Sequence, residues 1–291
     1  GKLAQANARL SQIDLVVATS CPLLVSTLLS KYGYFFVLTL LVGQHAIGGL
    51  IIVTNVRRAL QLQPQLGTYS SQPTSSSSSF LVNPIATTFG DPSIPTKTKL
   101  VTAAFLLLFC TVLSPGSMMN AWLNTIRQSQ PDLEVSETNI ALFGSSSNLF
   151  GALATFVTPL ALGTYRAGTL FQYFQTACII AAVVSFYTVS QQGSNAGSLL
   201  TWGFLLPLAI SRVGLWGFDL AERQILQANI PSEQQTVFFN SERGLTQAVS
   251  VAMTYLCYIF SDPSSFYVLV TVSGAAVLSS SIILSIANII K

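Results

Sequence analysis

Charged residues are scarce in this chain, since Lys, Arg, Asp and Glu make up 8% of its 291 residues. A soluble globular protein carries about 25%, so the composition excludes an ordinary soluble domain. Hydrophobic residues make up 51%, and they form long runs such as FFVLTLLVG and LVTAAFLLLF. The sequence therefore predicts an all-α polytopic membrane protein whose main partner is the lipid bilayer.

The chain also lacks the residue patterns of common enzymes and of disulfide scaffolds. It has one histidine, no GxSxG motif and no paired carboxylates within its apolar runs, which leaves little capacity for acid–base catalysis. The four cysteines lie singly in apolar segments, without CxxC spacing, and are interpreted as packing residues. We expect neither enzymatic activity nor a nucleic-acid partner.

Apolar segments recur along the chain at lengths close to those of membrane spans. A helix needs about 20 apolar residues to cross a bilayer. The seventh candidate is short, because little apolar sequence lies between Arg243 and the SDPSS turn. The eight candidates are 13–31, 34–55, 99–124, 138–160, 168–189, 199–222, 244–260 and 265–289.

The distribution of Lys and Arg predicts the orientation of these spans, because cations concentrate on the cytosolic side. With both ends of the chain in the cytosol, only Lys31 and Arg127 fall on the opposite side, and Arg212 lies within a span. The distribution of charge does not indicate in which cellular membrane the protein lies. The residues expected on the cytosolic side are Lys2, Arg9, Arg57, Arg58, Lys97, Lys99, Arg166, Arg223, Arg243 and Lys291.

A Ser- and Pro-rich segment divides the chain. Residues 57–98 contain five prolines and the run SSQPTSSSSS, a composition that favours a flexible cytosolic linker. Two helices within 1–56 precede it, and six helices within 99–291 follow it. A long loop followed by six helices is the layout of the second lobe of a two-lobed transporter, which would make 1–56 the end of a first lobe.

Four charges cluster around the end of the sixth span, in SRVGLWGFDLAERQILQANI. Asp219 and Arg223 are four residues apart and share a helix face, and Arg212 precedes Asp219 by two turns. Ionisable residues in a span are costly unless they pair or face water. Together with Glu222, they form either a charge network on a water-filled pathway or an interfacial cluster that anchors the helix.

The same stretch resembles the signature of ferroportin, the solute carrier family 40 iron exporter, around its tenth and eleventh helices. A second motif, KLAQANARLSQIDLV at the start of the chain, resembles the family's entry into its fifth helix. The matching positions are Lys2, Leu3, Ala4, Asn7, Ile13, Asp14, Arg212, Gly214, Leu215, Trp216, Phe218, Asp219, Leu220, Gln224, Leu226, Gln227, Ser241, Glu242, Arg243 and Gly244.

This resemblance implies a major-facilitator-type fold with two lobes, and export of ferrous iron or another divalent transition metal by alternating access, without a cofactor. It implies a fragment of helices five to twelve, whose partners include the missing N-terminal helices. Asn7 and Arg243 match the family's inner gate, and Asp14 and Glu242 match neighbouring motif positions. Arg243 could instead be a lone cation at a helix end.

The soft metal ligands of animal family members have no counterpart here. Their Asp-Cys pair on the seventh helix aligns with Gly116 and Ser117, and their late His aligns near Ser279. The helix-breaking sequence SPGS is nevertheless present. The backbone carbonyls of Ser114, Gly116 and Ser117 could therefore bind a cation, together with the thioethers of Met118 and Met119. The alternative is an ordinary proline kink with packing methionines.

His45 lies within the second candidate span and aligns with a polar residue near the family's central pathway. Its imidazole could bind iron, zinc, cobalt or nickel, although a hydrogen-bonded residue of the bundle is the simpler interpretation. The changed ligands leave two alternatives to metal export: a non-transporting membrane scaffold, or a family member that moves another small ion.

Overall fold

The computed structural model describes residues 83–129, 136–157, 164–189 and 199–290, together with single positions between 28 and 54. About 89% of the structure is helical, and the described residues contain no strand. They fall into two compact units, one within residues 20–82 and the other from Asn83 onward. The all-helical prediction is confirmed.

Among its described residues, the unit that begins at Asn83 contains seven α-helices, with two π-helical turns, Ala86–Gly90 and Leu199–Leu205, beside them. A short 3₁₀ turn, Pro263–Ser265, joins the last two helices. The helices are α1 Thr96–Leu107, α2 Ser117–Ser129, α3 Glu137–Val157, α4 Thr164–Val189, α5 Leu206–Asn229, α6 Ser232–Ile259 and α7 Phe266–Ile289.

Helix α3 shows how these helices suit a membrane. Its small residues Ser147, Gly151 and Ala154 are buried, whereas Leu149 and Phe156 are exposed. Small residues allow close helix approach within a bilayer, and lipid takes the place of water around exposed apolar side chains. The polarity pattern of α3 is therefore that of a helix packed in a membrane bundle.

Helix α5 is the centre of the bundle and packs most extensively against α4 and α3. Its closest approach is at Gly214, where an added Cβ would lie 2.5 Å from the carbonyl oxygen of Phe171. At Gly217 an added Cβ would lie 2.4 Å from the ring of Phe171. Neither position has room for a larger residue, which explains two glycines on the buried face of this helix.

The predicted third span, 99–124, is interrupted between α1 and α2. The end of α1 tightens through 3₁₀-type bonds, in which the amides of Leu108 and Phe109 donate to carbonyls three residues back. The chain then runs without regular structure to Pro115 and Gly116 before α2 begins. The amide of Val112 donates to Oγ of buried Ser273 on α7, over 3.0 Å. A side chain therefore replaces the helical partner that the break removes.

Residues 83–98 belong to the predicted linker, but they form turns that pack on the bundle. Ile94 is buried with Leu226, Ile230 and Phe238 at the junction of α5 and α6. The Oγ of Ser93 donates to Oε1 of Gln234 over 3.1 Å. The part of the linker that the structure describes is thus held by apolar burial, which the composition of the whole segment obscures.

Three described segments are long and apolar enough to cross a membrane: Tyr165–Thr188, Trp202–Asn229 and Pro263–Ile289. They correspond to the fifth, sixth and eighth candidate spans. The seventh candidate was expected to begin near Gly244, whereas α6 begins at Ser232. The polar first turns of α6 are helical because they pack against the turn at Ala86–Gly90 and against α1, a tertiary contact that hydropathy does not register.

The unit within residues 20–82 is described at only some positions, all of them helical. Its large apolar side chains Phe35, Val42 and Leu50 are exposed. Thr39 and Thr54 donate their hydroxyl protons to the carbonyls of Phe35 and Leu50, one turn back. Such hydrogen bonds satisfy the hydroxyl groups within the helix itself, as the predicted span at 34–55 requires in an apolar surrounding.

Candidate transport cavity and charge cluster

A cavity of about 450 Å³ lies where the helix break faces α5 and α6. Ser114 and Gly116 of the break line it, and so does Met118 at the start of α2. Arg212 and Asp219 line it from α5, two turns apart as their spacing predicts. The broken helix therefore borders a cavity with both signs of charge, the arrangement in which non-helical backbone is tolerated at membrane depth.

Beside this cavity, three carboxylates surround one guanidinium, that of Arg223. Its Nε lies 3.9 Å from Asp219 Oδ1 and 3.9 Å from Glu222 Oε2, and its Nη1 lies 3.7 Å from Glu242 Oε2. Asp219 and Glu222 precede Arg223 on α5, while Glu242 comes from α6. We call these four residues the Arg223 cluster.

The turn between α5 and α6 positions the cluster. The Nε2 of Gln235 donates to the carbonyls of Gln227 and Ile230, over 3.1 and 3.0 Å, and so closes the C-terminal end of α5. Helix α6 follows this turn, and its Glu242 lies 3.7 Å from Nη1 of Arg223. The side-chain amide of Gln235 thus fixes the path that places a carboxylate of one helix against a guanidinium of the other.

The two glutamates of the Arg223 cluster are enclosed by protein. The side chains of Glu222 and Glu242 are 0% and 1% exposed, whereas that of Arg223 is 40% exposed. Their carboxylate oxygens have no hydrogen-bond partner within the part of the chain that the structure describes. Because a buried carboxylate is costly without a counter-charge, Arg223 is the group on which both glutamates depend.

The predicted gate residues did not include Glu222, although the charge network expected around the end of the sixth span did, and the meeting of Glu222 and Glu242 at Arg223 was not predicted. The apolar runs of the sequence contain no paired carboxylates, and these two acids come from different helices. Ala221, Glu222 and Arg223 lie between the two motif blocks that carry the resemblance, FDL and QIL, so the resemblance gave no signal for Glu222.

The predicted gate residues divide into four groups. Asp219, Arg223 and Glu242 come together in the Arg223 cluster. Arg212 lines the cavity instead, and Arg243 is exposed, with no ion pair among the residues described. Asn7 and Asp14 lie outside the described residues. The structure therefore places Arg223, rather than Arg243, against the carboxylate of Glu242.

The predicted metal site is only partly described. Ser114, Gly116 and Met118 line the cavity, and Ser117 is the first residue of α2. His45 lies outside the described residues. Ser279, near which the family's late His was expected to align, is exposed on α7 and does not line the cavity. Across the described ranges, no three His, Cys, Asp or Glu side chains are grouped to hold a metal ion.

The helical bundle and its interrupted helix define an all-α polytopic membrane protein with a fold of the major-facilitator type. The chain belongs to the ferroportin family, because the Ferroportin1 (FPN1) family model matches residues 1–277. Members of this family are transporters rather than enzymes. The resemblance carried by the two sequence motifs is confirmed.

Relatives of known structure and of curated sequence agree with this assignment. Solute carrier family 40 member 1 of Oryza sativa subsp. japonica is 31% identical over 174 residues, which cover 58% of this chain and 34% of the rice protein. A crystal structure of a bacterial homologue of the iron transporter ferroportin in an outward-facing state superposes with a TM-score of 0.71 and 24% identity, covering 99% of this chain and 64% of that one.

A crystal structure of a bacterial homologue of the same transporter in an inward-facing state gives a TM-score of 0.65 and 22% identity, covering 98% of this chain and 63% of that one. At these identities the two structures establish the fold. The chain covers less than two thirds of each of these relatives.

Proposed function

We propose that this protein exports a divalent transition metal, ferrous iron foremost, from the cytosol by alternating access. The observation that supports this most directly is the match of the Ferroportin1 family model to residues 1–277. Bacterial homologues of the iron transporter ferroportin with this fold have been captured both outward-facing and inward-facing. The proposed cycle needs no cofactor, because the metal crosses the membrane unchanged.

The cavity beside the helix break is the proposed binding site of the transported metal. Backbone carbonyls at Ser114 to Ser117 could replace part of the hydration shell of a cation, as broken helices do in other transporters. Asp219 supplies a carboxylate at the wall of the same cavity. His45 is proposed as a further ligand, on the grounds of imidazole chemistry alone.

The Arg223 cluster and the motif residues near it are the proposed inner gate. A charge network between elements can be satisfied in one state and opened in the other, which makes it suited to a two-state transition. Asn7 and Asp14 would approach Glu242 and Arg243 when the cytosolic side closes. Arg243 is available for this because it is exposed and Glu242 is held by Arg223.

The proposed orientation has both ends of the chain in the cytosol, supported by the excess of Lys and Arg on that side. The lipid bilayer and the transported ion are then the main partners. In this orientation the Arg223 cluster lies toward the cytosolic end of α5, beside the cavity that Asp219 lines.

Efflux from cells that express the protein tests the proposal. Cells are loaded separately with radiolabelled iron, cobalt and zinc, and export is compared for the unaltered protein, Arg243→Ala and the matched exposed-arginine control Arg166→Ala. We expect metal efflux that Arg243→Ala reduces severalfold while expression and surface level are kept. Wild-type efflux from Arg243→Ala would remove the gate role of this residue.

The absence of the family's soft ligands at Gly116, Ser117 and Ser279 favours one alternative, a member that moves a different ion. Efflux of none of the three metals would contradict divalent-metal export and favour that alternative or a non-transporting scaffold. Loss of efflux in His45→Ala would place a ligand on the second candidate span. Unchanged efflux in that variant would indicate that the metal is bound at the helix break without His45.

A further inference from the structure

Arg212 is a cation within an apolar helix, and no ion pair balances its charge among the described residues. It lies inside the span Trp202–Asn229, and its side chain lines the cavity beside the helix break. The ion pairs that α5 makes within the described chain all involve Arg223 instead. An arginine stays charged, and a charge in a span is costly unless it pairs or faces water. The guanidinium of Arg212 therefore lacks an anionic partner in this part of the chain.

Asp219, the acid of the same cavity lining, does not supply that partner. Arg212 and Asp219 are seven residues apart, which separates them by about 10 Å along the axis of α5. The carboxylate of Asp219 is directed to Arg223 instead, with Oδ1 3.9 Å from Nε of that residue. The positive and the negative group of the lining therefore lie at different levels of the cavity, and the level of Arg212 suits an anion.

The helix break adds hydroxyl groups to this lining. Thr111 and Ser114 belong to the non-helical segment between α1 and α2, and both line the cavity. The Oγ1 of Thr111 accepts the amide of Leu113 over 3.1 Å, which leaves its proton to donate. Ser250 and Thr254 on the α6 side instead donate their protons to carbonyls one turn back, each over 2.9 Å. Hydroxyl donors for an anion are therefore concentrated at the break.

The shape and polarity of the lining favour an organic anion over an inorganic one. The planar fork of a guanidinium matches a carboxylate through two parallel hydrogen bonds. The aromatic and aliphatic side chains of Phe105, Phe109, Leu215 and Trp216 also line the cavity, and such walls suit a ligand with an apolar body. The volume of about 450 Å³ falls within the range of about 300–1,000 Å³ that is usual for small-molecule sites.

We propose that this cavity binds a small organic monocarboxylate, whose carboxylate group pairs with the guanidinium of Arg212. The hydroxyl groups of Thr111 and Ser114 donate to the same carboxylate, and the apolar part of the ligand packs against Leu215 and Trp216. One negative charge suffices, because Arg212 supplies one positive charge at its level of the cavity. This ligand is an anion that binds in the absence of metal, so the proposal does not rest on the metal export proposed above.

Calorimetric titration of the intact protein in lipid nanodiscs, in metal-free buffer at neutral pH, tests the proposal with butyrate and benzoate as probes. We expect saturable binding that empty nanodiscs do not show, and weak binding of benzyl alcohol, which keeps the ring and lacks the charge. Arg212→Gln should weaken binding at least about tenfold, because it removes charge-assisted hydrogen bonds. Arg212→Lys keeps the charge without the planar fork, so its affinity should lie between those two.

A pair of variants at Gly116 tests the same charge while Arg212 stays in place. Gly116 lines the cavity, and an added Cβ would lie 3.8 Å from Oγ of Ser114, an ordinary contact. Gly116→Asp introduces a competing carboxylate, and it should bind benzoate at least about tenfold more weakly than Gly116→Asn, which has the same shape without the charge. Arg166→Gln is the control, because Arg166 is exposed on α4 and does not line the cavity. Thermal melting checks that each variant is folded.

Several outcomes would overturn the proposal: no saturable binding of either probe, unchanged affinity in Arg212→Gln, or equal affinities of Gly116→Asp and Gly116→Asn. Tighter binding of inorganic phosphate or chloride than of benzoate would contradict an organic carboxylate. Binding that appears only after Co(II) is added would also overturn the proposal, because the carboxylate would then be a ligand of the metal. No step measures transport, so a protein that fails to export iron could still pass this test, and one that exports iron could fail it.

Discussion

Replacement of Arg223 by methionine tests whether one cation holds two buried carboxylates in the bundle. The change keeps most of the aliphatic length of the side chain and removes only the guanidinium. Glu222 and Glu242 would then be buried next to each other and to Asp219 without a counter-charge. The loss of the cation also removes contacts to the rings of Phe105 and Phe239, each 5.8 Å from the guanidinium carbon.

The size of the effect follows from the distances in the Arg223 cluster. Unit charges about 4 Å apart interact by about 4 kcal/mol at an effective dielectric of 20. Removal of one partner of a buried ion pair costs about 3–5 kcal/mol. Because Arg223 is 40% exposed, water screens part of its interaction, and we expect a loss of about 2 kcal/mol. That corresponds to a lower Tm by about 4–8 °C.

The partner substitutions should act in the opposite direction. Glu222→Gln removes a buried charge whose oxygens have no hydrogen bond among the described residues, so we expect it to be neutral or stabilising. Glu222→Gln combined with Arg223→Met should lose less stability than Arg223→Met alone. This sign difference separates electrostatic dependence from a general packing defect.

Thermal melting of the detergent-purified protein, followed by loss of helical circular dichroism, provides the measurement. Arg166→Met is the matched control, because Arg166 is exposed on α4. It should leave the Tm within about 1 °C, as most surface substitutions do. The reasoning about the Arg223 cluster is refuted if Arg223→Met has the same Tm as the Arg166→Met control. It is also refuted if adding Glu222→Gln to Arg223→Met does not raise the Tm of that variant.

Two further predictions concern packing and the helix break. Gly214→Ala should lower the free energy of unfolding by more than about 1 kcal/mol, because its Cβ would lie 2.5 Å from the backbone of α4. Gly144→Ala has open space around it, so it should be neutral or should stabilise the fold by about 0.5–1 kcal/mol. Equal melting of the two alanine variants would contradict the close approach. Ser273→Ala should cost about 1–3 kcal/mol, because it leaves a buried amide of the break without an acceptor, while exposed Ser279→Ala should change the Tm little. A Ser273→Ala protein as stable as Ser279→Ala would show that the amide finds another partner.

The helix break could be predicted because its cause is local. Proline removes a backbone donor and clashes with the preceding turn, and Gly116 adds conformational freedom, so SPGS predicts an interruption near Pro115; the end of α1 already at Leu107 could not be predicted in this way. The acceptor of the freed Val112 amide could not be predicted. Ser273 lies far along the chain on α7, and only the packing of α7 against α1 brings its hydroxyl to the break.

The candidate site shows the same division. Asp219 and Arg223 form an ion pair that helical spacing predicts, since residues four apart share a face. Arg212 and Asp219 line one cavity for the same reason. Glu242 joins the cluster through the fold of α6 against α5, and the position of Arg243 relative to it follows from that packing. Motif resemblance identified Arg212, Asp219, Glu242 and Arg243, and helical spacing identified Arg223. Neither indicated that Arg223, rather than Arg243, pairs with Glu242.

The sequence by itself determined the class of this protein. Scarce charge, long apolar runs and a proline-glycine break depend on local composition, and the two motifs carry the family. The tertiary structure alone decided which polar groups meet: the burial of Glu222 with Glu242, the Ser273 acceptor and the position of Arg212 at the cavity without an ion pair among the described residues. The physical reason is that periodicity fixes which face of a helix a residue occupies, whereas the identity of the facing helix depends on packing across the whole bundle.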